Sequence, residues 1–195
     1  MRDRRQLLDF TENKARSFMA DFTVPAHGIE HICRVRDWAV KIAREEGQDE
    51  FLAEIVAFLH DIGRVPEFKN NPELRHHELS YRLAQEWFAQ YREFDLLTLQ
   101  EKEEVLYVVR YHWDDTAEKY PLANILRDAD KLDMYGEIGL KRAVEFHRKS
   151  GREDIKKNIE ANLAMVSRIK TATAKKVIAE NDLLRPLYKW IEEHP

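Results

Sequence analysis

Three short stretches of this sequence bring together side chains that can do metal chemistry: His27-Gly28-Ile29-Glu30-His31, the pair His60-Asp61, and Asp128-Ala129-Asp130-Lys131-Leu132-Asp133. Their spacing against apolar residues gives them weight. His31 shares a helical stripe with Val35, Trp38 and Ile42, and Asp130 continues the stripe of Leu122 and Leu126. His60 and Asp61 close the most apolar stretch of the chain, from Phe51 to Leu59. Imidazoles and carboxylates thus project from faces that otherwise point inward, where a lone charge is costly unless paired or bound to metal. Two imidazoles (His31, His60) and two carboxylates (Asp61, Asp130) converging from three helices would form a mixed nitrogen and oxygen site. Such a site suits divalent Mn, Fe, Co, Ni or Zn and leaves positions for water and a phosphate oxygen. The ion would lower the pKa of bound water and neutralise phosphate charge.

Helices must position these groups. Periodicity predicts helices over about Leu7–Ala20, His27–Glu46, Glu50–Ile62, His76–Tyr91, Thr98–His112, Pro121–Met134 and Leu140–Arg148. A break is expected through Thr23, Val24 and Pro25, and Gly136 and Gly139 are expected to interrupt the chain. The stretch from Pro66 to Arg75, with Asn70, Asn71 and Pro72, reads as a loop. Two accessory helices, about Glu153–Lys170 and Ala174–Arg185, complete the chain, with Pro186 kinking or ending the last. No strand, repeat or low-complexity tract is evident. The expected fold is all-α: one domain over residues 1–195, with a core of about 25–140 and accessory helices in 1–24 and 141–195.

Composition narrows the function. Only 6 Gly and 6 Pro in 195 residues, with 35% charged residues, favour a helix-rich globular protein. Lys and Arg number 32 against 36 Asp and Glu, a net charge of −4, so no basic field invites sequence-specific nucleic-acid binding. Cys33 is the one cysteine, which rules out an internal disulfide and fits a reducing cytoplasm. The first residues read as no signal peptide, and no stretch approaches the roughly 18 apolar residues of a membrane span.

The order His, then His-Asp, then Asp, with the pair set in His60-Asp61-Ile62-Gly63-Arg64, resembles the HD superfamily of phosphohydrolases. His31-Ile32-Cys33-Arg34-Val35 is similar to that family's first-histidine helix, and Asp128 to Asp133 to its last-aspartate helix. The resemblance spans about residues 25 to 140. It implies an all-helical bundle in which His31, His60, Asp61 and Asp130 hold one catalytic divalent ion, Mg included among the candidates. It also implies hydrolysis of a phosphomonoester or phosphodiester of a small metabolite or nucleotide by metal-activated water. In the dinuclear branch further histidines hold a second ion, with the aspartate of the pair bridging. His76 and His112 resemble those positions, though Trp113 replaces the second histidine often found beside the latter. The Gly-Tyr-Pro signature of the cyclic-dinucleotide branch is missing.

Around this centre, Arg64 and Lys131 are candidates for binding phosphate and assisting Asp61 in catalysis, and His76 and His112 for metal or phosphate contact. Asp133 could orient a ligand or water, and His27 is expected to act as a polar partner near its helix start. Glu67, Phe68, Trp113 and Tyr120 could line the substrate pocket. Trp38 and Trp87 read as core, Cys33 as a packed thiol, His77 as a solvated neighbour, and His147 and His194 as residues of polar surroundings. His27-Gly28-Ile29-Glu30-His31 also matches the H-x-x-E-H pattern of inverted zinc peptidases, but that reading leaves His60-Asp61 and Asp130 idle. Alternatives to the hydrolase are a nucleotide-sensing HD domain without turnover and a di-iron HD-type oxygenase. The accessory helices leave self-association open.

Overall fold

The centre of the molecule follows from one segment with no polar face. Asp49 caps it, its carboxylate accepting from the Phe51 and Leu52 amides at 2.8 and 3.2 Å, and eight of the ten residues of Glu50–Leu59 are buried. A helix apolar all round must be wrapped by others. In the computed structural model, which describes residues 3–20, 27–70, 73–150 and 154–194, this helix is α3. It packs against α1 (Arg4–Met19), α2 (Ile29–Glu45), α6 (Leu99–Tyr111) and α7 (Pro121–Leu132). Its buried residues include Ile55, Val56, Phe58 and Leu59, each worth roughly 1.5–3 kcal/mol of transfer free energy.

The wrapping helices are begun by local chemistry. Thr98 and Glu101 form a reciprocal capping box at the start of α6, and Pro121 occupies the first turn of α7, where no amide is needed. Short α4 (Arg64–Asn70) leads into α5 (His76–Gln90), which packs on both α4 and α6. A 3₁₀ turn, Arg92–Leu96, joins α5 to α6. Then come α8 (Gly136–Ser150), α9 (Ile155–Ala164) with a 3₁₀ turn at Met165–Arg168, α10 (Ala172–Glu180) and α11 (Arg185–Glu193). The described residues contain no strand, so the fold is all-α as expected.

Several boundaries differ from the sequence-based expectation. Residues 64–70 form α4 rather than a loop, because Pro66 falls in the first turn, the one helical position that tolerates it. Gly139 does not interrupt the chain. Instead it lies inside α8, where a Cβ would come within 2.2 Å of the Met134 backbone, and of these two glycines it is Gly136 that takes the left-handed conformation, φ +69°. The expected helix over 153–170 is divided by its 3₁₀ turn, and Pro186 begins α11 instead of ending a helix. The expected break at Thr23, Val24 and Pro25, the turn at Asn71-Pro72 and the helix start at Glu153 lie outside the described residues.

The C-terminal helices are fastened to the core by hydrogen bonds. Asp128 on α7, fully buried, accepts from the Lys170 and Thr171 amides and the Thr171 hydroxyl at 2.7–3.2 Å, and burial raises its pKa. The Gly136 amide donates to the Leu183 carbonyl at 2.8 Å, and the Tyr135 hydroxyl to that of Asn162 at 3.2 Å. No helix among the described residues is long and apolar enough to cross a membrane.

Candidate metal centre

Three histidines of the cluster are each turned by a bond at Nδ1. His31, on α2, has Nδ1 2.6 Å from Asp133 Oδ2. His60, which closes α3, has Nδ1 2.7 Å from the Ala57 carbonyl, and His112, which closes α6, stands 2.7 Å from that of Val109. With Nδ1–H donated to an oxygen, Nε2 of each ring carries the lone pair, the tautomer a metal requires. His31, His60 and Asp61 are all but fully buried.

The free donors converge. His31 Nε2 lies 3.3 Å from Asp130 Oδ1 and 3.8 Å from Asp61 Oδ2, and His60 Nε2 is 3.8 Å from the same Asp61 oxygen. The other oxygen, Asp61 Oδ1, stands 3.5 Å from His76 Nε2 and 3.7 Å from His112 Nε2. Donors bonded to one ion at about 2.1 Å each stand roughly 3–3.5 Å apart, so both groups are drawn to near bonding separation. His31, His60 and Asp130 form one set able to hold an ion, Asp61, His76 and His112 a second, and His27, His31 and Asp61 a third. His27 therefore joins the cluster more closely than its sequence context indicated, its Nδ1 3.4 Å from Asp61 Oδ2. Glu30 of the same helix is exposed, away from the buried donors.

Protonation follows from burial and neighbouring charge. Burial lowers His27 and His60, and takes His76 to about 3 and His112 to about 4, so these rings are neutral near pH 7. Burial also opposes a charge on His31, but Asp130 and Asp133 outweigh it and raise its pKa. Asp61 would be raised by burial, yet Arg64 and His60 hold it well below the usual carboxylate range. Asp130 is likewise depressed by His31 and His60 despite burial. His31 Nε2, His60 Nε2, His27 Nδ1 and Asp61 Oδ1 are buried without a hydrogen-bond partner. Orphaned atoms of this kind are rare in native folds, and a bound ion would account for them.

The cationic candidates separate. Arg64 Nε donates to Asp61 Oδ2 at 2.6 Å and its side chain borders a cleft of about 910 Å³. That cleft is lined by Glu67, Glu73, Arg75, His76, His77 and Trp113 as well. Lys131 instead turns from Asp130 and is buried against Asp115, 2.7 Å away, which corrects the expectation of an open phosphate-binding ammonium. Tyr120, expected at the pocket, packs its ring on Tyr107, and Phe68 is exposed on α4. His147, expected in polar surroundings, is buried with Nδ1 3.0 Å from the Ala143 carbonyl.

Two arginines had gone unsuspected. Arg142 on α8 donates to the Asp133 carboxylate and, at 2.7 Å, to its carbonyl, while its Nη2 lies 3.2 Å from His31 Nδ1. Arg34 donates to the other Asp133 oxygen at 2.6 Å. Only the stripe of α8 could have pointed to Arg142, and it carries no chemical signature. Arg127 is also buried, donating to the Tyr111, Asp114 and Ala117 carbonyls and to Asn124, which clamps the loop after His112. Behind Asp133 a more apolar cavity of about 550 Å³ lies against Trp38, Leu132, Tyr135 and Leu183.

Comparison with known proteins places this geometry. The family model described as HD domain matches residues 28–135. An uncharacterized protein, L803 of Acanthamoeba polyphaga mimivirus, is 25% identical over 161 residues, covering 72% of this chain; the chain spans 61% of that relative's length. Among solved structures, a predicted HD superfamily hydrolase from an uncultured Thermotogales bacterium has a TM-score of 0.71 at 24% identity, over 95% of this chain and 89% of its own. Bacillus subtilis YpgQ in complex with ADP gives 0.73 at 20% identity over 97% and 94%. An HD-superfamily hydrolase from Bacillus thuringiensis gives 0.72 at 21% over 98% and 96%. At these identities the structures share the fold.

Proposed function

The chain belongs to the HD-domain family, and from that footing we propose that it is a metal-dependent phosphohydrolase acting on a phosphate ester of a small metabolite or nucleotide. The observation that carries the reading is the convergence of His31 Nε2 and His60 Nε2, buried and without hydrogen-bond partners, with Asp130 on one side of Asp61, while the equally orphaned Asp61 Oδ1 faces His76 and His112 on the other. His31, His60, Asp61 and Asp130 would hold the first ion, and Asp61, His76 and His112 a second, with Asp61 giving one oxygen to each. A divalent ion there supplies Lewis acidity, lowering the pKa of water and screening phosphate charge.

The chain's own residues do the rest. Asp133, gripped by Arg34 and Arg142, holds the His31 ring by its Nδ1, and the Ala57 and Val109 carbonyls do the same for His60 and His112. Arg64, which lines the cleft, would meet a phosphate oxygen; Lys131 would first have to leave Asp115. In the reaction a water oxygen bonds to phosphorus as the ester P–O bond breaks, and the departing oxygen takes up a proton. YpgQ has been crystallised with ADP, which supports a nucleotide among the esters to try first.

Replacing Asp61 by Ala removes the one carboxylate common to both sets. The expected result is a loss of metal affinity of more than about a hundredfold, with hydrolysis abolished across a phosphate-ester panel. Metal content and turnover equal to the wild type would refute the assignment.

A further inference from the structure

The cleft that reaches His76 has two chemically different ends. Its inner end is cationic and metal-ligating, with Arg64 against Asp61 and His76 beside His112. Its outer end is aromatic. Trp113 leaves 57% of its surface open, and His77 lies behind it with the ring centroids 5.0 Å apart and the planes 32° from parallel. The rings run outward in steps: His112 to His76 at 5.3 Å, His76 to His77 at 5.5 Å, then His77 to Trp113. The indole thus joins, through His77, the run of rings that begins at the candidate metal ligands His112 and His76. Glu67 and Glu73 add carboxylates along the same walls, and Arg75 a further guanidinium.

An indole left this open at the mouth of a charged cleft is a surface for stacking, since its π-face meets any flat ring while its neighbours supply direction. His77 braces the indole from one side. The cleft volume, about 910 Å³, leaves room for a base, a sugar and phosphates together.

We propose that Trp113, braced by His77, is the platform on which the planar base of the substrate stacks, so that the cleft selects nucleotides over phosphate esters that carry no planar ring. This rests on the phosphohydrolase reading for the site but is separately testable. The probes are AMP, phenyl phosphate and ribose 5-phosphate, titrated calorimetrically into the metal-loaded protein, with released phosphate assayed alongside. AMP binds tightest. Trp113→Ala weakens AMP roughly tenfold or more, whereas Trp113→Phe, which keeps a flat ring, stays within about threefold. Metal content and thermal midpoint report that each variant is folded. Equal affinity of wild type and Trp113→Ala for AMP overturns the proposal, as does ribose 5-phosphate binding as well as AMP. Trp113-dependent binding of AMP with no ester ever hydrolysed would leave the platform standing and remove the hydrolase. Hydrolysis indifferent to Trp113 would do the reverse.

Discussion

Gly63, in the turn after the His-Asp pair, shows how little room the centre leaves. Its amide donates to the buried Ser80 hydroxyl at 2.8 Å, and a Cβ there would come 2.1 Å from the His76 carbonyl oxygen and 2.4 Å from the Ser80 amide. Both are backbone atoms, so relief requires moving the start of α5 bodily. Gly63→Ala should cost about 1–3 kcal/mol in denaturant unfolding. It should also lower metal stoichiometry at the His76 and His112 set more than at the His31 set; unaltered stability and stoichiometry would count against this close packing. The residues that meet at the centre were legible because a ligand needs a particular atom type on a particular face. His31, His60, Asp61 and Asp130 each break an apolar stripe, and the break is visible in one dimension. Lys131 was misread for a related reason: sequence adjacency to Asp130 says nothing of direction, and one residue along a helix turns a side chain by about 100°, here toward Asp115.

Among the elements, α8 is the one whose importance no pattern announced. It begins where the matched HD segment ends, yet Arg142 reaches the Asp133 carboxylate and stands beside His31 Nδ1. Groups that orient a ligand by its far nitrogen typically govern affinity by ten to a hundredfold. Arg142→Gln leaves Asp133 with Arg34 alone, so metal titration should show that order of loss at the His31 set while the His76 set keeps its ion. An identical titration curve would reduce α8 to packing. The helices themselves were read well from periodicity, capping residues and proline placement. Where expectation failed, at α4, at Gly139 and at Pro186, the decisive fact was position within a helical turn, which a residue's average preference does not encode.

For the molecule as a whole, buried neutral histidines couple folding to pH. An imidazole whose folded pKa lies below its unfolded value of about 6.5 contributes fully above that pH and loses its contribution as the pH falls toward the folded value. His27, His60, His76, His77 and His112 are of this kind, His76 reaching about 3 and His112 about 4. His31 runs the other way: its raised pKa favours folding below pH 6.5 and that share fades as the pH climbs through its folded value. Five against one, the thermal midpoint of protein held in a chelator should fall between pH 7 and pH 4, and His112→Asn should flatten the slope. A midpoint constant over that range would mean the rings are not buried neutral. We propose further that the chain unfolds as one unit, since Asp128 and Gly136 bind the last helices to the core; a single transition in the same scans is the expected form.

The clamp made by Arg127 has a consequence for change over time. A guanidinium that grips the Tyr111, Asp114 and Ala117 carbonyls is indifferent to which side chains those peptides carry. That part of the anchoring runs through main chain, so position 113 should be exchangeable without unseating the histidine just before it. Preference for one ester over another is thus free to drift, or to be engineered, by single substitutions while the chemistry beneath stays put.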